Sequence, residues 1–315
     1  MSETMKLFSG NANPVLAKAV AKHLGIQTGK IEVGRFSEGE IRVKFCENIR
    51  GADIFLLQST CPPVNDNWME LLIMIDAARR ASARRITAVI PYYAYARQDR
   101  KDQPRVPITA KLLANLIEAA GADRVLTMDL HADQIQGFFD IPLDHLMALP
   151  VFVKYIKSKN LKKLAVATAD VGGIKSAWVF AERLGVPLAI VDKRRMGPVE
   201  TKVMHVIGDV RGYDVILPDD IIASGSSLSL ASIALKERGA RDIYACATHG
   251  VFSGPATERL SKAPIREIII TDTIPLNRSA QAVKGPKMTV LSVAPLFGEA
   301  IRRINRETSV SSLLR

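Results

Sequence analysis

The feature that most restricts how this chain can fold is that it carries one pattern twice. Ala17-Lys18-Ala19-Val20-Ala21-Lys22-His23-Leu24-Gly25-Ile26 has a counterpart in Ala177-Trp178-Val179-Phe180-Ala181-Glu182-Arg183-Leu184-Gly185-Val186. Each reads as a helix that ends on glycine before a strand. Further on, Arg50-Gly51-Ala52-Asp53 precedes an apolar run over 54–57, and Arg211-Gly212-Tyr213-Asp214 precedes another over 215–217. Loop, helix and strand follow in both halves, with strands over 86–92 and 243–248 and closing strands over 124–129 and 267–272. Matches that keep their order predict a duplicated, doubly wound α/β unit with mainly parallel strands, joined near 144–150. Chance likeness between Ala/Leu-rich helices is the competing explanation.

At 315 residues the chain is long for one core and suits two. With 48% hydrophobic residues and no apolar run near the ~20 residues of a membrane span, a soluble α/β protein is expected, with no membrane association. The opening Met1-Ser2-Glu3-Thr4-Met5-Lys6 has no apolar signal core, so the expected location is cytoplasmic. Cys46, Cys61 and Cys246 are too scattered for a disulfide framework or a thiolate metal site. The net charge of +11 admits nucleic acid or small polyanions. Basic pairs such as Arg79-Arg80 and Arg84-Arg85 fall on helix ends, and no nucleic-acid-binding pattern accompanies them, so no nucleic-acid partner is expected.

In the second half, the strand over 215–217 is followed by Pro218-Asp219-Asp220-Ile221-Ile222-Ala223-Ser224-Gly225-Ser226-Ser227 and a helix pattern up to Gly239. Small residues at 224–227 let the backbone approach an anion, with free amides and the positive end of a helix dipole directed at it. The acid pair would repel the phosphate but accept hydrogen bonds from sugar hydroxyls joined to it, so the expected ligand is a sugar phosphate. The alternative is a plain helix N-cap, for which Ser224, Ser226 and Ser227 all qualify. Neither G-x-x-x-x-G-K-[ST] nor a strand-linked G-x-G-x-x-G occurs, which removes the Walker and dinucleotide readings. Gln58-Ser59-Thr60 occupies the matching place in the first half, leaving that half free for a second ligand.

Arg35-Phe36-Ser37-Glu38-Gly39-Glu40 joins an aromatic plate to two carboxylates, a set suited to a base, although a hairpin turn accounts for it equally well. Pro91-Tyr92-Tyr93-Ala94-Tyr95-Ala96-Arg97-Gln98-Asp99-Arg100-Lys101, directly after a strand, gathers two Arg, a Lys, an Asp and a Gln suited to a nucleotide's phosphates and base; a solvated loop is the alternative. Asp129, His131 and Asp133, at odd positions of an extended strand end, are expected to face one way as a Mg²⁺ and phosphate corner. Thr168-Ala169-Asp170-Val171-Gly172-Gly173 is another strand end with an acid. Asp192-Lys193-Arg194-Arg195 is expected as a cationic loop after a strand over 188–191, where its charge suits a phosphoryl-transfer transition state. His249 ends the strand over 243–248 and is a further candidate for the same crevice.

Together these stretches, with Asp129-Leu130-His131, Gln134-Ile135-Gln136-Gly137-Phe138-Phe139 and Asp219-Asp220, resemble the ribose-phosphate diphosphokinases over nearly the whole chain. The resemblance implies phosphoribosyltransferase-type domains over 1–146 and 147–315, the first on the ATP side with subunit contacts, and the last helix packing back on it. It implies Mg²⁺-dependent transfer of the β,γ-diphosphoryl group of ATP to the 1-hydroxyl of ribose 5-phosphate, for nucleotide biosynthesis. By that pattern Phe36, Glu38 and Glu40 hold adenine from a neighbouring subunit, and Arg97, Gln98 and Asp99 belong to the ATP site. His131 and Asp170 serve the metal, and Lys193 and Arg195 the reacting phosphorus. Asp219 and Asp220 hold the ribose hydroxyls, while residues 223–227 (Ala223, Ser224, Gly225, Ser226, Ser227) hold the 5-phosphate. Similar members form homo-hexamers, need inorganic phosphate as activator and are inhibited by ADP; Arg50, Ser82, Ser309 and Ser311 fall where that regulatory ligand binds. Many relatives have Asp at the place of Ala223 and Thr-Gly-Gly-Thr at 224–227. A non-catalytic paralogue binding sugar phosphate, and a phosphoribosyltransferase, are the other classes considered.

Overall fold

A computed structural model of the chain describes residues 4–169, 172–195 and 202–313, with backbone alone for 193–195 and 202–204. The chain divides into two units, Met1–Met147 with Thr273–Pro275 and Ser292–Arg315, and Ala148–Asp272 with Leu276–Leu291.

Unit 1 runs β1 (Met5–Ser9), α1 (Pro14–Leu24), β2 (Ile31–Arg35), β3 (Ile41–Phe45), β4 (Asp53–Leu57), α2 (Val64–Arg80) and β5 (Arg85–Ile90). It continues through α3 (Thr109–Ala120), β6 (Arg124–Met128), a 3-10 turn (Asp133–Phe138) and β7 (Leu143–Leu146). The parallel sheet has the order β1-β4-β5-β6-β7. All five residues of β4 are buried, as a parallel strand covered on both faces requires.

Unit 2 runs α4 (Leu149–Ser158), β8 (Leu164–Thr168), α5 (Ile174–Leu184), β9 (Leu188–Arg195), β10 (Lys202–Ile207), β11 (Asp214–Ile222) and α6 (Ser226–Glu237). Then come β12 (Ile243–Gly250), α7 (Ala256–Lys262), β13 (Glu267–Thr271), α8 (Arg278–Gln281) and β14 (Lys287–Leu291). Its sheet, in the order β10-β9-β8-β11-β12-β13-β14, is parallel apart from the β9–β10 pair. The last helix, α9 (Ala294–Asn305), belongs to unit 1 and packs on α1. Gly298 makes the contact possible, since a Cβ there would lie 2.5 Å from the His23 ring.

The repeated pattern is repeated in geometry. α1 and α5 both close on a left-handed glycine, Gly25 and Gly185, with the next amide reaching back into the last turn (Ile26 N–H to Ala21 O, Val186 N–H to Ala181 O). At the roots of β4 and β11, Gly51 (φ 69°) donates to Ser82 O and Gly212 (φ 73°) donates to Gly239 O. Ser82 and Gly239 each end a helix with a positive φ, 61° and 89°. The acids that follow are both buried and ion-paired, Asp53 to Arg85 and Asp214 to Arg241. The copies differ in the hairpin between them: β9–β10 extends its sheet, whereas β2–β3 forms a separate two-stranded ribbon.

Pro218 is accommodated by the topology. Asp214 N–H bonds toward β8 and Val215 N–H toward β12, so the alternation puts Pro218 on the β8 side, and the β8 ladder ends at Ile216. With no N–H to continue the series, Pro218 ends the ladder to β8 there, while β11 goes on pairing with β12.

The two helix-ending positions make a paired prediction. Gly239→Ser forces a side chain into the left-handed region and should lower stability by about 1 kcal/mol, while Ser82→Gly relieves that cost and should leave stability equal or up to about 1 kcal/mol higher. Urea unfolding of both variants checks this; a neutral Gly239→Ser beside a destabilised Ser82→Gly contradicts the shared geometry.

Candidate active site

In unit 2, β11 continues to Ile222, so Asp219 and Asp220 lie within the strand rather than just after it, both half-buried. The Asp220 amide donates to Asp219 Oδ1 at 2.9 Å. Three amides from the segment after β12 support the turn that follows: Val251 and Phe252 donate to Ile222 O, and Ser253 to Ala223 O. Gly225 is the N-cap of α6 at φ 69°, and a Cβ on it would stand 2.9 Å from Leu260 Cγ, so both backbone shape and packing demand glycine. Among the described residues no side chain caps this helix. The serines therefore do not do the work that the N-cap reading assigns them, and the amides at the helix start face the turn from the positive end of its dipole. Arg259 adds a guanidinium, with Nη1 3.3 Å from Ser224 O. Nothing in the sequence pattern of α7 separates that arginine from ordinary surface charge.

Lys193 and Arg195 require a correction of setting. The expected strand over 188–191 continues through Arg195, because β10 pairs with it as far as Lys202↔Arg195. They stand on a strand, not in the loop beyond it; their side chains lie outside the described residues, as does Asp170 altogether. His249 is buried in β12, in register with Ile221 of β11.

In unit 1 the strand end that corresponds to the acid pair is closed by its own hydrogen bonds. Gln58 Nε2 donates to Glu70 at 2.8 Å, Ser59 Oγ to Thr273 O at 2.7 Å, and Thr60 Oγ1 to Tyr92 O at 2.7 Å. The polar residues exposed for a ligand are elsewhere. Phe36, Ser37, Glu38, Gly39 and Glu40 form the exposed tip of the β2–β3 ribbon, closed by Phe36 N–H to Glu40 O. Arg42 lies over the Phe36 ring, and Arg35 is tied to Asp66 at 2.9 Å. Its own backbone N–H, and then the Ser37 hydroxyl, hold the Glu38 carboxyl below the usual range, so it is an anion at neutral pH. Arg97 and Gln98 are exposed on a loop anchored by buried Tyr93, whose hydroxyl donates to Ala110 O, and by Ala94, whose amide donates to Thr60 Oγ1. Gln134 reaches Asp99 at 3.4 Å.

The expectation that Asp129, His131 and Asp133 face one way is overturned. β6 ends at Met128, Asp129 turns the chain at φ 39°, and Asp133 opens the 3-10 turn, so the alternation of an extended strand stops at its first member. His131 itself is exposed. Among the described residues no group of three or more His, Cys, Asp or Glu side chains forms a metal cluster. Burial pushes the Cys61 and Cys246 thiols up, which leaves them protonated and unfit as nucleophiles.

Arg50, Ser82, Ser309 and Ser311 are all exposed in unit 1. Arg50 and Ser82 adjoin through the Gly51–Ser82 bond; Arg84 and Arg85 reach Glu307, and Arg303 holds Ser309 O at 3.0 Å.

Two α/β units on parallel sheets, one with an acid pair and an amide-lined turn at a strand end, define a phosphoribosyltransferase-type fold. A model of the N-terminal domain of ribose phosphate pyrophosphokinase matches residues 5–121, and one of the phosphoribosyl synthetase-associated domain matches 194–315. The chain is 56% identical over 313 residues to the ribose-phosphate pyrophosphokinase of Caldanaerobacter subterraneus subsp. tengcongensis, covering 99% of this chain and 98% of that one. It is 52% identical over 308 residues to that of Helicobacter pylori, covering 98% and 95%. The crystal structure of phosphoribosylpyrophosphate synthetase from Mycobacterium smegmatis matches with a TM-score of 0.90 at 44% identity, covering 97% of this chain and all of that one. The chain belongs to the ribose-phosphate pyrophosphokinase family. Among the described residues no helix is long and apolar enough to cross a membrane.

If the turn is built for an anion and not for capping, Ser224→Ala, Ser226→Ala and Ser227→Ala should each change stability by less than about 0.5 kcal/mol, against ~1 kcal/mol for a lost N-cap. Gly225→Ala should cost about 2 kcal/mol through strain and the Leu260 contact. Denaturant titrations of the four variants decide it, and a full capping loss at any serine restores the N-cap reading.

Proposed function

We propose that this chain transfers the β,γ-diphosphoryl group of ATP to the 1-hydroxyl of ribose 5-phosphate, giving 5-phosphoribosyl 1-diphosphate and AMP. The observation that carries the reading is the uncapped turn at 223–227 behind Asp219 and Asp220, in a chain alike from end to end to ribose-phosphate pyrophosphokinases. The amides of 223–227 take the 5-phosphate, and the two carboxylates accept from the ribose 2- and 3-hydroxyls. Such contacts orient the sugar without contributing a nucleophile. The sugar's 1-oxygen attacks the β-phosphorus in line, the bond from that phosphorus to the α-phosphate oxygen breaks, AMP leaves, and the hydroxyl proton passes to solvent.

Phe36, Glu38 and Glu40 are assigned to adenine, and Arg97, Gln98 and Asp99 to the triphosphate side. Exposure of the ribbon tip supports this, since an aromatic plate and an anionic Glu38 are available there to another molecule. His131 and Asp170 are assigned to Mg²⁺, which when bound supplies charge neutralisation of phosphate oxygens. Lys193 and Arg195 neutralise charge that grows on the transferred group. Ala223 in place of the acid that many relatives carry removes one negative charge beside the sugar. A homo-hexamer, with inorganic phosphate as activator acting at Arg50, Ser82, Ser309 and Ser311, completes the reading.

Phosphorus NMR of the protein with ATP, Mg²⁺, ribose 5-phosphate and inorganic phosphate should show AMP and a sugar diphosphate rising one for one. Formation of ADP or of free phosphate instead refutes the reaction class, and ribose 5-phosphate binding without turnover points to the non-catalytic paralogue. Lys193→Ala should lower kcat by roughly 10²-fold with ribose 5-phosphate binding retained, because its charge is used mainly in the transition state. An unchanged kcat removes Lys193 from the mechanism.

A further inference from the structure

His145 lies on β7, in register with Thr127 of β6, and its side chain is 9% exposed. Its Nε2 accepts the Leu130 amide at 2.8 Å, one residue before His131. On its other side, Nδ1 stands 3.4 Å from Gln136 Nε2 and 3.9 Å from Asp133 Oδ1. Because Nε2 accepts, the ring proton of the neutral imidazole sits on Nδ1, facing the Asp133 carboxylate. The residue next to His145 adds a second tie, since Leu146 O accepts the Asp129 amide at 3.0 Å.

These bonds bracket the point where Asp129 turns the chain at φ 39°. A short turn with a left-handed residue at its start needs fixing from outside, and two adjacent residues of β7 hold its first two amides. Across the turn the Nδ1 proton faces the Asp133 carboxylate at 3.9 Å, beyond hydrogen-bond reach, and Gln136 Nε2 is itself a donor, so the tie that this ring makes is the one to the Leu130 amide, next to exposed His131.

We propose that His145 is a positioning residue, which fixes the backbone at Leu130 so that His131 is presented in one orientation to the metal–nucleotide ligand. This rests on the assignment of His131 to Mg²⁺ and ATP made above. The role needs an acceptor at the position of Nε2 and a side chain of similar reach. Gln supplies both, whereas Leu fills the space and accepts nothing.

The test compares His145→Leu, His145→Gln and His131→Ala in the full chain. Hydrogen–deuterium exchange without substrates should show peptides over 129–136 exchanging at least about tenfold faster in His145→Leu, with protection restored in His145→Gln, since the Leu130 amide has lost its acceptor. In steady-state kinetics the KM for MgATP should rise roughly 3- to 10-fold in His145→Leu, with the KM for ribose 5-phosphate within about twofold and near-normal values in His145→Gln. Unchanged exchange over 129–136 in His145→Leu overturns the proposal, and so does an equal MgATP defect in Leu and Gln variants. His131→Ala separates the two layers: if it leaves the MgATP KM unchanged, the assignment of His131 fails; if it raises that KM while His145→Leu does not, the positioning role fails.

Discussion

In both parallel sheets a carboxylate at a strand root is taken out of water and matched by an arginine. Asp53 is fully buried, and Arg85 grips it with two N–H groups at 2.9 and 2.6 Å. Arg241 grips Asp214 in the same two-pronged way. A buried carboxylate that loses its partner is strongly destabilising, so the pair sets the alignment of neighbouring strands more firmly than apolar contacts that tolerate sliding. Asp53 and Arg85 are register partners of β4 and β5, and Asn305 adds a third bond to Asp53 from the end of α9. Fixing the N-terminal roots of β4 and β11 fixes where their C-terminal ends emerge, and the polar residues that matter stand at those ends.

Equivalent strand ends have then been put to opposite uses. After β4, Gln58, Ser59 and Thr60 turn inward, and every one of those side chains is hydrogen-bonded within unit 1. The turn after β11 has acids along the strand, a glycine that no other residue can replace, and a helix start left without a side-chain cap. Groups satisfied internally stabilise. The contrast separates a turn closed by its own side chains from the turn proposed to hold the sugar phosphate.

What was legible in the sequence was what local chemistry decides. Glycines at 25, 51, 185 and 212 marked helix ends and strand roots, since a left-handed residue is chiefly a glycine's task, and the apolar runs between them gave the strands. The acid pair and small-residue turn were legible for the same reason. Features that depend on a distant partner were not. β9 reaches Arg195 only because β10 returns alongside it. His145 is visible as a support for the turn after β6 only once β7 is in register. The grouping of Asp129, His131 and Asp133 failed because an alternation argument assumes an extended chain, and aspartate tolerates the left-handed turn that breaks it.

The ribbon β2–β3 has a cost that unit 2 avoids. There β9 covers the flank of β8, but β1 is the last strand of its sheet. Among the described residues, only the segment leading into the ribbon lies along it, through Gly29 N–H to Leu7 O at 2.8 Å. A Cβ at Gly29 would fall 2.2 Å from Phe8 Cε1, on a ring already wedged against Phe45. A side chain at position 29 would push the Phe8 ring or this segment aside and loosen the cover on an apolar edge strand, and an uncovered edge is a template for strands of other chains.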